Sequence, residues 1–164
     1  MLTATKVRDL LLAHGVTHIV GLPDNLCRTL FSTLKEEPAI EVIGVSREGE
    51  TFAIAAGLHI GGKKPVVLIQ NTGLLEAGDA YRGTSWHMHI PQVILLAYRG
   101  FASLAAEVER KDTVAEFTEP TLKAWSIPYE IMQEDEDLKM LSRAFELAES
   151  TNRPAAAIIA GTTQ

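Results

Sequence analysis

The sequence predicts an α/β fold: one three-layer domain, with about six parallel strands and helices on both faces of the sheet. Three observations predict it. Strand-like and helix-like segments alternate about six times along the chain, which is the order that builds a parallel sheet through helical crossovers. Three segments, PVVLI, PQVILLA and PAAAIIA, are apolar on both alternating faces, as in strands covered from both sides. The chain has 164 residues, enough for one well-buried domain and too few for two ordinary ones, so residues 1–164 are read as a single domain.

The elements follow in order. Leu2 to His14 has helical apolar spacing and is stopped by Gly15. Thr17 to Val20 is a short β-branched strand, ended by Gly21-Leu22-Pro23-Asp24. Asn25 is the expected cap of a helix through Glu36, with Leu26, Leu30, Phe31 and Leu34 on one side. Ile40 to Val45 is the second strand, and a helix runs from Glu48 to Ile60, where Gly61-Gly62 ends it. Pro65 to Ile69 is the third strand, and Gly73 to Ser85 is expected to be helical. Pro91 to Ala97 is the fourth strand. Gly100 to Thr118 reads as a long loop with some helix, and Glu119 to Trp125 as a helix. Pro128 to Met132 is a short strand, Glu134 to Glu149 an amphipathic helix, and Pro154 to Ala160 the last strand.

Composition narrows the function. Hydrophobic residues make up 46% and charged ones 22%, a folded globular profile. The net charge of −6 argues against nucleic acid as a general partner. Cys27 is the only cysteine, which excludes a disulfide framework and a zinc–cysteine cluster and fits a reducing, cytoplasmic setting. The N-terminal stretch has charges among its leucines, so no signal peptide is expected, and no run approaches the ~18 apolar residues of a membrane helix.

In parallel sheets ligands sit beyond the carboxyl ends of the strands, near a switch point. Three strand-to-helix loops therefore matter: Gly21 to Asn25, Ser46 to Glu50 and Gln70 to Gly73. Glu48 has two readings. It is a first-turn acid stabilised by the helix dipole, as is Glu50, or it is a buried acid whose pKa burial raises until it shares a proton with a ring nitrogen. Ala53, Ala55 and Ala56 behind it let the helix lie close against another backbone. Asp24 is either a turn residue or a functional acid. His87 and His89 flank Met88 in what reads as an extended segment, and without nearby carboxylate or cysteine ligands they make a poor metal site. Arg47 and Arg99 are either ordinary surface arginines or partners of an anionic substrate, since guanidinium matches sulfonate, phosphonate and carboxylate oxygens.

The stretch REGETFAIAAGLHIGGKKP, with GLPDN at Gly21 to Asn25, QNTGL at Gln70 to Leu74, IPQVILLAYRG at Ile90 to Gly100 and SIPYEI at Ser126 to Ile131, resembles a known family. It is similar to the pyrimidine-binding domain of thiamine diphosphate-dependent 2-oxoacid decarboxylases, and within them to the sulfopyruvate and phosphonopyruvate decarboxylases. Each motif is short, but five stand in the right order over nearly the whole chain.

The resemblance implies roles. It places the family's catalytic glutamate, which hydrogen-bonds N1′ of the cofactor's aminopyrimidine, on Glu48 rather than Glu50. That contact favours the imino form of the ring, whose 4′ nitrogen can take the C2 proton of the thiazolium. It places Asp24 on the substrate side of the thiazolium, and Pro23, Asn71, Thr72 and Gly73 near the cofactor. His87 and His89 would line the substrate pocket, as in larger decarboxylases with paired histidines, although the small family does not typically carry them. The family usually continues L-G-N where this chain has Leu74-Leu75-Glu76.

A site for diphosphate and Mg²⁺ is missing. In the superfamily it lies in a second domain carrying G-D-G and a downstream asparagine, and this sequence has no G-D-G. The chain therefore looks like the α subunit of a split decarboxylase, inactive alone, with thiamine diphosphate shared with a β subunit that holds the Mg²⁺, in a hetero-oligomer of paired αβ units. The expected reaction converts a short anionic 2-oxoacid to the aldehyde and CO₂. Carboligation, a non-catalytic scaffold that regulates a partner, and an unrelated flavodoxin-like binding domain are the alternatives.

Overall fold

The computed structural model describes all residues from Met1 to Gln164. Its strands are β1 (His18–Gly21), β2 (Glu41–Gly44), β3 (Pro65–Gln70), β4 (Val93–Ala97), β5 (Tyr129–Met132) and β6 (Ala155–Ile159). They form one sheet in the order β2-β1-β3-β4-β6-β5, and every neighbouring pair is parallel. The helices are α1 (Ala4–Ala13), α2 (Arg28–Lys35), α3 (Glu48–Ile60), α4 (Asn71–Glu76), the single turn α5 (Gly78–Ala80), α6 (Thr113–Ala124) and α7 (Lys139–Thr151).

Strand side chains alternate between two cores. Val66, Leu68, Val93, Leu95, Ala155 and Ala157 join α1, α2 and α7 in one core. Val67, Ile69, Ile94, Leu96, Ala156 and Ile158 join α3, α4 and α6 in the other. The apolar runs of β3, β4 and β6 are apolar on both faces because both faces are covered. The expected three-layer α/β fold with a six-stranded parallel sheet is what the chain adopts.

Local differences have local causes. Asn25 does not cap α2, which begins at Arg28. The amides of Leu26 and Cys27 donate to Asp24 instead. The helix expected over Gly73–Ser85 starts earlier, at Asn71, and is broken. After α4 and α5 comes a wide π-type turn, Tyr81–Trp86. A Cβ on Gly78 would lie 2.9 Å from the Trp125 ring, so this part of the chain packs directly against the indole. Helix α6 begins six residues before its expected start, capped by the Asp112 side chain, which accepts from the Val114 amide, and it runs through Pro120. The last helix opens with a tight turn, Asp135–Leu138, before α7 proper.

The strand order sets the site. The segment after β1 turns outward through α2 on one face, and the segment after β3 leaves through α4 on the other. The carboxyl ends of β1 and β3, which are hydrogen-bonded neighbours, therefore part at a switch point, where a crevice opens.

Candidate functional site

A cleft at this switch point is lined by Leu22, Pro23, Asp24, Asn25, Glu48, Gln70 and Thr72. It draws together the three loops singled out above. Its floor needs close approach of β1 to β3: a Cβ on Gly21 would fall 2.0 Å from the Leu68 carbonyl oxygen.

Asp24 stands in the middle of the connection between β1 and α2. One carboxylate oxygen accepts from the Leu26 and Cys27 amides at 2.6 and 3.3 Å. The other, Oδ2, is buried without a hydrogen-bond partner. Burial pushes the Asp24 carboxyl up from the usual aspartate range, against the opposing pull of the two amides and of the Gln70 side chain nearby.

Glu48 is the first residue of α3 and is half-buried. The apolar part of α3 buries Thr51, Phe52, Ala55 and Ala56 but leaves Glu48 open to the cleft. The expected burial of Glu48 is thus not supplied by this chain, because its carboxylate stands at the open carboxyl edge of the sheet. Its side chain lies on Gly73: a Cβ there would come within 2.2 Å of Glu48 Cγ and 2.6 Å of Oε1. Glu50 is the ordinary first-turn residue expected of it, accepting from the Ser46 and Arg47 amides at 3.0 and 3.2 Å.

Thr72 lines the cleft and donates from Oγ1 to Gln70 Oε1 at 2.7 Å. Asn71 points elsewhere. It is fully buried, donates from Nδ2 to the Arg99 carbonyl (3.0 Å) and Thr118 Oγ1 (2.8 Å), and accepts from the Arg99 amide (3.2 Å). Its amide group is committed to tying β3 to the end of β4 and to α6, and it is absent from the cleft lining.

Arg47 is exposed and its guanidinium is held by Glu76 through Nε (3.0 Å) and Nη2. Arg99 stands at the same edge of the sheet, after β4, exposed and 3.4 Å from Asp112. The histidines stand at the other end. His87 and His89 precede β4 and lie at its amino edge, roughly 17 Å of strand away from the carboxyl edge at ~3.3 Å per residue. Both are exposed, and His89 sits in a turn at φ 58° rather than in an extended segment. The chain does not bring them to the cleft.

Two residues carry no assigned role in the sequence. Gln70 could have been found as the last residue of a strand that ends at a switch point. Glu76 stands out only as a departure from the family's L-G-N, and its partners Arg47 and Gly49 are 29 and 27 residues away.

Fold and cleft together define a class: a parallel α/β domain with two carboxylates, on separate loops, lining a cleft at the switch point. Residues 1–109 match the family described as thiamine pyrophosphate enzyme, N-terminal TPP binding domain. The match covers well over half of the chain, and the chain belongs to that family, whose cofactor is thiamine diphosphate. It is 27% identical to sulfopyruvate decarboxylase subunit alpha of Methanococcus maripaludis over 160 residues, 97% of this chain and 95% of that one. It is 34% identical to the protein of the same name from Methanothermobacter thermautotrophicus over 86 residues, 52% of each chain. Phosphonopyruvate decarboxylase of Streptomyces viridochromogenes is 31% identical over 86 residues, 52% of this chain but 22% of that longer one. No helix of the structure is long and apolar enough to cross a membrane.

Proposed function

We propose that this chain is the pyrimidine-binding α subunit of a split thiamine diphosphate-dependent decarboxylase, with residues 1–164 acting as one domain. Its substrate is a short anionic 2-oxoacid of the sulfopyruvate or phosphonopyruvate kind, and its products are the aldehyde and CO₂. The observation that carries the reading is the placement of Glu48: a carboxylate without a donor from its own chain, laid on Gly73, at the mouth of the switch-point cleft.

The cleft fits one half of the cofactor. The Glu48 carboxylate offers a partner for a ring nitrogen, and the Asp24 carboxyl lines the same cleft. No Lys or Arg lines the cleft, so a diphosphate would meet two carboxylates and no cation. We assign the diphosphate and Mg²⁺ to a partner β subunit, in a hetero-oligomer. When bound, the cofactor supplies the electron sink that 2-oxoacid decarboxylation requires. Glu48 holds a proton at the ring nitrogen, and closure by the partner supplies the burial that this chain leaves out. Asp24, with its raised affinity for a proton, serves proton transfer on the substrate side. Thr72, Pro23 and Gly73 shape the floor. Arg99, at the same edge and largely exposed, is free to turn from Asp112 toward the substrate's anionic end.

The test reconstitutes the chain with a partner carrying G-D-G and the downstream asparagine, then measures CO₂ release from sulfopyruvate and phosphonopyruvate. Activity should need both chains, and Glu48→Gln should lower kcat at least about a hundredfold. Full activity of Glu48→Gln, or robust decarboxylation by this chain alone, would refute the proposal.

A further inference from the structure

We infer that Glu76 is the positioning residue for Glu48, capping the Gly49 amide that no side chain of helix α3 serves. The inference rests on the cofactor role proposed for Glu48. Helix N-termini leave their first amides without partners, and an acceptor side chain at the preceding residue usually serves one of them. In α3 that residue is Arg47, and a guanidinium has donors only. Glu76 fills the gap from another helix. Its Oε2 accepts from the Gly49 amide at 3.1 Å, and its Oε1 accepts from the Arg47 guanidinium, through Nε at 3.0 Å and through Nη2. The two residues it grips are those on either side of Glu48.

Both supports of Glu48 come from α4. Gly73 lies under the Glu48 side chain, and Glu76, three residues on, holds the Gly49 amide on one side of it and the Arg47 side chain on the other. Residues three apart on a helix share a face. One short helix thus sets where the Glu48 carboxylate starts and where it rests. The arrangement also occupies Arg47, so the anionic end of the substrate must be met by another group.

Hydrogen exchange of the Gly49 amide in the isolated full-length chain reads the cap directly. In Glu76→Ala it should speed up about tenfold, with the Val67 and Leu95 strand amides unchanged. Glu76→Gln, which keeps an acceptor but loses the ion pair, should fall between. In the complex with the partner subunit and cofactor, kcat and exchange of the cofactor's C2 hydrogen should fall about tenfold in Glu76→Ala, with KM within about twofold and partial recovery in Glu76→Gln. Where Glu76→Ala also loses strand protection, the same readings are taken on Glu76→Gln. Unchanged Gly49 exchange, or faster exchange with unchanged kcat, would overturn the inference. Glu48→Gln is run alongside: if it retains C2 exchange, the cofactor role of Glu48 fails, while Gly49 exchange still judges the cap.

Discussion

Gly73 and Glu48 share a space that only one of them can fill: a Cβ at position 73 would lie 2.2 Å from Glu48 Cγ. The glycine is required here by close approach rather than by backbone strain, since it sits inside α4. The obstacle is a flexible side chain, so a substitution displaces Glu48 more readily than it unfolds the domain.

Gly73→Ala should therefore fold, with stability within about 1 kcal/mol of the parent in denaturant unfolding. In the reconstituted complex kcat should fall about a hundredfold, because a displacement near 1 Å removes a proton-holding group from its partner. A stable variant with parental kcat would show that Glu48 need not rest on Gly73.

Asp24 predicts a pH signature. Its folded-state pKa is raised by burial, so folding favours the protonated form. The stability this contributes is present below the ordinary aspartate pKa and is lost as pH rises through the higher folded value. Asp24→Asn retains an oxygen for the Leu26 and Cys27 amides and removes the charge. The variant should exceed the parent in Tm by about 2–4 °C at pH 7. The gain should shrink toward pH 4. An equal gain at both values would mean that titration of Asp24 is not the cause.

Asn71 predicts the opposite pattern, a structural loss away from the cleft. Asn71→Ala strands the Arg99 amide and carbonyl, while Thr118 keeps its own bond to the Val114 carbonyl at 2.7 Å. The expected cost is about 1–3 kcal/mol in chemical denaturation, from part-buried backbone groups left without their side-chain partner. A neutral result would mean that water or a local shift replaces the side chain.

The residues legible in the sequence were those whose meaning is local. The apolar runs of β3, β4 and β6 announced a sheet covered on both faces, and the alternation of segments announced its parallel order. Glu48 and Asp24 stand out as candidates because each lies at a strand-to-helix connection and because the surrounding motifs resemble a known family. The start of α6 was hidden because Pro120 lies inside it. Asn25 looked like a cap, but Asp24, one residue earlier, takes the free amides. His87 and His89 were placed with the substrate by analogy, and only the direction in which the chain enters β4 sends them to the far edge.

The amino-acid sequence by itself determined the α/β class, the order of strands along the chain and the acids at the strand ends, because hydrophobic period and turn chemistry act over a few residues. Tertiary structure alone decided which loops meet. The strand order β2-β1-β3-β4-β6-β5 opens the crevice between β1 and β3, turns Asn71 away from it, lays Glu48 on Gly73 and brings Glu76 to the start of α3. Those contacts join residues up to 47 positions apart, and no local pattern encodes which distant side chain will arrive.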